Sequence, residues 1–428
     1  MRRLLLTPGT VRGRLRAPPS KSYTHRALAV GHLAGHRYRI ERPLDSDDTR
    51  ATARAITALG TRVVRDPRGW TVGPGRGPGR GSPVRIDCGE SGTTLRFAAA
   101  LAARAARPSI LLGAGRLPIR PMDPLLRALT ALGARVARPR EGGGLPLRLE
   151  GPLHGGAVSL DASGSSQFAS ALLLVLPTLD EDSTVRLTGR VVSRPYLDAT
   201  LRMLAAHHVH VDADASGRRY RVAGGQAYRG SRFRVPGDAS SAAYFWVAAA
   251  LTGGSARVDG VPAAWPQADL AVLELLRRAG ARVRTHRDGA TVTAGTLRAF
   301  SVDLTDAPDL FPLAGTLAAG IEGRSTLAGA GRLVAKESDR RAGTERLLRA
   351  LGARVERRRD RLVVEGRPPF RPFALLGAGD HRMVMTAAVA ARAAARGPCT
   401  VEDAGAVAKS YPGFWQDLER MTEGALER

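Results

Sequence analysis

Asparagine is absent from all 428 residues of this chain, and only three of its 65 basic residues are lysine. Both amino acids have A/T-rich codons, so a G/C-biased gene would drain them and put arginine wherever a positive charge suffices. The lysines that persist are Lys21 in PPSKSYTHR, Lys336 in AKESDR and Lys409 in VAKSYPGFW. They mark places where a planar, permanently charged guanidinium would not serve, because an ammonium is a compact point charge whose pKa moves on burial. Cysteine is scarcer than lysine, and Cys88 and Cys399 define neither a disulfide framework nor a zinc site. Long apolar runs are missing as well. None approaches the ~18 residues of a membrane span, and the three leucines after Arg3 are too few for a signal-peptide core. A soluble, reduced, cytoplasmic protein is expected.

Positive charge is abundant, at a net +26. That balance invites a nucleic-acid reading. However, the arginines are scattered over turns and helix faces, with no basic tail, no aromatic-interleaved strand and no zinc-finger spacing. Solvated arginine on a biased background is the simpler account, and its field would attract small anions. With hydrophobic content of 43% the chain is an ordinary globular one, and its length favours two domains over a single core.

One pattern recurs: an apolar-periodic helix ending in glycine, a strand, a polar turn and a second strand. Gly60 in ITALGTRV, Gly133 in LTALGARV, Gly280 in LRRAGARV and Gly352 in LRALGARV hold the glycine position. LAAHHVHV places His208 there, and FWQDLERM aligns a sixth copy near Thr422; successive positions lie 70 to 75 residues apart. Each glycine suits a left-handed helix C-cap, and the Arg-Val alternation behind it fits a half-exposed strand. Asp288-Gly289 and the DPRG segment supply turn chemistry for the hairpins. Six βα-rich repeats packed as two domains of three are expected, with residues 1–17 plus 235–428 forming one domain and 18–234 the other.

Polar segments interrupt this background. Ser20, Lys21, Ser22 and Arg26 open an Ala/Leu-rich helix, where free N–H groups, hydroxyls and cations make an anion site. CGESGTTLRF brings Gly92 to another helix start, LPIRPMDP holds Arg120 between prolines, and ASGSSQFAS supplies Ser165, Ser166 and Gln167. VVSRPYLDATL adds Ser193 and Tyr196. In the second half come Asp306 and Asp309, then Lys336, Glu337, Asp339 and Arg340, then Asp380, His381 and Arg382, and finally Lys409. Taken singly, each has a bland reading as an N-cap or a solvated ion pair. Together they put cations in both halves, hydroxyls in one and carboxylates in the other, which a cleft for multiply anionic ligands explains at once.

In order, PPSKSYTHRALA, GESGTTLR, IRPM, SGSSQF, SRPYLDATL, GDASSAAYF, DAPDLFPLA, KESDR, DHRM and VAKSYPGFW resemble the motif series of the 5-enolpyruvylshikimate-3-phosphate synthase (3-phosphoshikimate 1-carboxyvinyltransferase) family. The resemblance runs from about residue 8 to residue 421. It implies the enolpyruvyl transferase fold, an α/β architecture of two inside-out barrel domains, each of three βαβαββ units. The sister UDP-N-acetylglucosamine enolpyruvyl transferases rely on a loop cysteine that GAGRLPIRPM lacks. By the resemblance, Lys21, Ser22, Arg26, Ser165, Ser166, Gln167, Ser193, Tyr196, Asp309 and Lys336 would hold shikimate 3-phosphate. Lys21, Gly92, Arg120, Gln167, Arg340, Arg382 and Lys409 would bind phosphoenolpyruvate. The implied catalytic set is Asp309 as base toward the 5-hydroxyl, Glu337 as acid at C3, and Lys21 with Lys409 at the departing phosphate. No metal, cofactor, nucleic acid or membrane is implied, and a monomer is expected.

Three positions depart from the family pattern. Glu90 stands where asparagine is usual, Arg332 where asparagine or histidine is common, and Val334 where arginine is expected. The alternative reading is accordingly a diverged member that eliminates water or phosphate from a shikimate-type acid in a specialised pathway.

Overall fold

A helix with no solvated face must lie inside a domain, and several helices here are of that kind. Every residue of Phe311–Ala319 and of His381–Arg392 is buried, as is Ala239–Leu251 up to Ala250. The structure, a computed structural model, describes residues 3–75, 82–138, 144–375, 377–395 and 397–422 and the backbone of 426–427. The chain divides into two compact units. One is split in sequence, Met1–Pro18 with Pro236–Arg428, and the other, Pro19–Val235, is inserted within it.

Among the described residues the strands form six four-stranded sheets. One repeat of the inserted unit shows the plan: strand Val84–Asp87, helix Gly92–Ala103, strand Ser109–Leu112, helix Asp123–Ala131, then strands Arg135–Ala137 and Leu147–Glu150. The first two strands pair in parallel, as a helical crossover requires, and the last two complete the sheet antiparallel. Strand Arg12–Arg16 opens the first repeat of the split unit by pairing in parallel with Ser255–Asp259. Strand Leu4–Leu6 closes the last repeat, between Cys399–Val401 and Leu426–Glu427. Each unit is therefore three βαβαββ repeats, the α/β class expected.

The first helix of each repeat is the buried one. In the inserted unit Lys21–Ala34, Gly92–Ala103 and Gln167–Val175 pack on one another, as do the three named above in the split unit. Sheets and amphipathic second helices cover them. The outermost strands, such as Thr61–Asp66, Arg282–His286 and Arg354–Arg358, present exposed arginines to solvent. Charged edges of this kind deter strand addition by another chain, which gives part of the positive charge a structural purpose.

The repeat's cap position is left-handed in five of its six copies, Thr422 being the exception. Gly133, Gly280 and Gly352 have φ of 101°, 97° and 101°. His208 occupies the same conformation at φ 59°, a region histidine enters more readily than most side chains. The strand after it shrinks to Asp212–Ala213. Beside it the Gln226 side chain stands in for a strand, accepting from His210 N at 2.8 Å and donating to His210 O at 3.0 Å. Thr422, at the sixth cap position, bridges to Val11 and donates to Leu418 O.

Candidate active site

The buried helices explain where the chemistry collects, because their N-termini carry the polar motifs. In the inserted unit Ser20 precedes helix Lys21–Ala34 and Lys21 is its first residue. Lys21 Nζ lies 2.9 Å from Asp48 Oδ2. The backbone oxygen of Asp48 accepts from Thr94 Oγ1 at 3.2 Å, which joins Lys21 to the start of helix Gly92–Ala103. Ser91 caps that helix through Thr94 N. From the third helix, Gln167 Nε2 donates to Thr93 Oγ1 at 3.0 Å, and Ser165 Oγ accepts Gln167 N at 3.2 Å. Lys21, Gly92, Ser165 and Gln167 therefore stand on one connected set of helix N-termini.

A Cβ placed on Gly92 would fall 2.5 Å from Arg96 Nη1 and 2.6 Å from Arg120 Nη1. Only glycine leaves both guanidiniums this close to the helix start. Arg96 also donates to Gly92 O and to Pro121 O, tying the helix to the proline-flanked Arg120 loop. Arg26 is deeply buried and donates to Thr200 Oγ1 at 2.9 Å, Ser22 O at 3.0 Å and Tyr196 O at 2.7 Å. Burial brings its pKa down to about 10. It fastens helix Lys21–Ala34 to helix Arg194–Ala206, whose preceding residue Ser193 is itself left-handed at φ 55°. A non-glycine residue there is strained, and such strain collects at functional loops.

In the split unit Arg340 is the hub, with a side chain only 1% exposed. It reaches Asp309 Oδ1 at 2.7 Å, Glu337 Oε2 at 2.7 Å and Asp380 Oδ2 at 2.8 Å. Asp309 also meets Lys336 Nζ at 3.4 Å and Arg382 Nη2 at 3.2 Å. Burial alone would raise the Asp309 carboxyl, but Lys336, Arg382 and Arg340 outweigh it and hold the group well below the ordinary carboxylate range. Burial pulls Lys336 down, against the opposing pull of Asp309. Lys409 Nζ donates to Gly379 O at 2.7 Å, beside the Asp380 cap of helix His381–Arg392.

Three contributors were not singled out from sequence as site residues. Asp48 lies in DSDDT, where a helix-start carboxylate is explained by the macrodipole alone. Arg96 acts through Pro121, on the Arg120 loop. Asp269 gave no signal at all: it is buried, with Oδ1 lacking a hydrogen-bond partner among the described residues. Burial, reinforced by the Asp309 and Asp238 carboxylates and opposed by Arg382 and Lys336, pushes it up to about 7. Its folded pKa thus exceeds the unfolded value of about 3.9. The stability it contributes is complete below that value and lost as pH rises through about 7. Asp269→Asn is expected to remove this dependence, so that thermal unfolding scans from pH 5 to 8.5 show a flatter profile. An unchanged slope would refute the assignment.

Three buried helices per unit, presenting cations and carboxylates at their N-termini, define a protein of the enolpyruvyl transferase class. The solved EPSP synthase of Acinetobacter baumannii superposes with a TM-score of 0.82 at 26% identity, covering 100% of both chains. The enolpyruvyl transferase NikO of Streptomyces tendae shares the fold, with a TM-score of 0.77 at 19% identity over 99% of this chain and 98% of its own. The 3-phosphoshikimate 1-carboxyvinyltransferase of Thermococcus kodakarensis is 42% identical over 96% of this chain and 98% of its own length. That of Aeropyrum pernix is 41% identical over 98% and 95%. The family model described as EPSP synthase (3-phosphoshikimate 1-carboxyvinyltransferase) matches residues 6–418, and the chain belongs to that family. Among the described residues no helix is long and apolar enough to cross a membrane.

Proposed function

We propose that this protein transfers the enolpyruvyl group of phosphoenolpyruvate to the 5-hydroxyl of shikimate 3-phosphate and releases inorganic phosphate. The observation that carries the reading is the Asp309 cluster. In a chain matched by the family over residues 6–418, it sets two carboxylates, Asp309 and Glu337, on one buried guanidinium beside Lys336. Addition needs a base on the attacking oxygen and an acid for C3 of the enol; elimination reverses the C3 transfer and expels phosphate. Asp309 takes the hydroxyl proton as the oxygen bonds to C2, and Glu337 delivers a proton to C3. Glu337 then recovers a C3 proton while the bond from C2 to the phosphate oxygen breaks. Lys21 and Lys409 stabilise the departing phosphate, and the proton held by Asp309 leaves with it.

Asp309 is a weak base while three cations hold it. Phosphate and carboxylate groups that engage Lys336, Arg340 and Arg382 would lift its pKa toward the working range. The same anions suit Ser22, Ser165, Ser166, Ser193, Tyr196 and Arg26 for shikimate 3-phosphate, and Gly92, Arg120, Gln167, Arg340, Arg382 and Lys409 for phosphoenolpyruvate. Fixed cations aimed at developing charge are the largest expected contribution.

The test is phosphate release by purified protein. Release that requires both substrates supports the transferase, whereas loss of water or phosphate from the shikimate ring without phosphoenolpyruvate would replace it with a lyase. A specific outcome follows for Gly92→Ala. The added methyl displaces flexible guanidinium tips, so folding should change by only about 1 kcal/mol. The KM for phosphoenolpyruvate should rise about tenfold, the ~1.4 kcal/mol of one misplaced charge-assisted contact, with kcat less affected. Steady-state kinetics with each substrate varied in turn checks this, and an unchanged KM would remove Arg120 from the phosphoenolpyruvate site.

A further inference from the structure

Residue 379 is gripped at both of its peptide groups by one short segment. Asp403 Oδ2 accepts the Gly379 amide at 2.5 Å, and Lys409 Nζ donates to the Gly379 carbonyl at 2.7 Å. Asp403 and Lys409 are the two ends of one short 3-10 helix, in which Ala404–Lys409 follow Asp403 directly. The grip holds an unusual backbone: Ala378 and Gly379 are both left-handed, at φ 50° and 70°, and Asp403 is left-handed too, at φ 63°. Non-glycine residues in that region persist only when their surroundings over-determine them. Immediately after residue 379 comes Asp380, which accepts from Arg340 Nε, from Ser338 Oγ and from Arg382 N.

We propose that Asp403 is a positioning residue: by holding the Gly379 amide it fixes the carbonyl that seats the Lys409 ammonium, and so sets Lys409 against the Asp380–Arg340–Asp309 cluster. Asp403 touches no reacting atom and acts through Lys409. The inference rests on the transferase reading for its kinetic consequence, but its geometric consequence is independent of it.

The rarity of lysine makes the geometry measurable. Under limited acylation with an amine reagent, mass spectrometry reads Lys21, Lys336 and Lys409 separately in one sample. Asp403→Gly keeps the left-handed backbone accessible and removes the carboxylate. It is expected to change the Lys409 acylation rate at least severalfold while Lys336, in the same unit, and Lys21 keep theirs. A general loosening would move Lys336 as well and overturn the proposal, as would an unchanged Lys409 rate. In the two-substrate assay Asp403→Gly should lower kcat/KM by about 10- to 100-fold, the scale of a displaced catalytic group. Asp403→Asn, whose amide oxygen accepts the same N–H, should recover most of that loss. In a Lys409→Met background Asp403→Gly should add almost nothing; multiplicative losses would overturn the idea. If wild-type protein releases no phosphate with both substrates, the transferase reading fails, and the acylation ratios still decide the positioning role.

Discussion

Asp309→Asn is expected to cut two-substrate phosphate release about a thousandfold, within the ~10²- to 10⁴-fold range of a positioned general base. The amide keeps the shape and loses both the proton acceptor and the charge on which Lys336, Arg340 and Arg382 converge. Three cations then face one another across a neutral side chain, so stability should fall as well. The sign with pH follows from the direction of the shift. The cations overcome burial and hold the folded Asp309 below its unfolded value, so its stabilisation is present above about pH 3.9 and lost as pH falls through the folded value. Denaturant titrations should show wild type losing stability in acid more steeply than the variant, with the largest gap between them near neutral pH. Lys336 should drop further, because Asp309, ahead of Glu337, is the main group that opposes its desolvation. Near-wild-type turnover in Asp309→Asn would move the base elsewhere, and Lys336 would be the next candidate.

The repeat was legible because its signals are local. A glycine closing an apolar-periodic helix, followed by Arg-Val alternation, needs no knowledge of the rest of the chain, and even the His208 copy kept its place. Motif residues at helix starts were legible for the same reason, as with Lys21, Gly92, Gln167 and Arg382. What could not be read was how charges are shared across distance. Arg26 reads as a cation for a substrate, and nothing local shows that it also donates to Ser22, Tyr196 and Thr200, the last 174 positions away. Asp380 looked like a cap and is also the deepest carboxylate on Arg340. Asp269 needed the fold itself, since nothing in QADL distinguishes a buried carboxyl within the field of Asp309 from an exposed one. Period and capping are written within a dozen residues, whereas ion pairing depends on which helix N-termini meet.

Arg340→Lys is expected to be the most destabilising conservative substitution in the split unit. Arg340 satisfies Asp309, Glu337 and Asp380 with one planar fork, its Nε and both Nη atoms engaged at 2.7 to 3.2 Å. An ammonium has the charge but not the geometry, and cannot reach three separated carboxylates at once. At least one buried carboxylate would lose its partner, which typically costs about 3–5 kcal/mol. That is a large share of the ~5–15 kcal/mol that holds most domains folded. Arg358→Lys, on the solvent-exposed pair with Glu356, should cost about 1 kcal/mol or less. Urea unfolding of both variants makes the comparison, and a loss below about 1 kcal/mol for Arg340→Lys would show that the network relaxes around an ammonium. An apolar core would hold the unit together at least as well as buried ions do. The network's value therefore lies in keeping Asp309 charged and in fixing both Asp309 and Glu337 beside Lys336, and Arg340→Lys should lose activity even at temperatures where it remains folded.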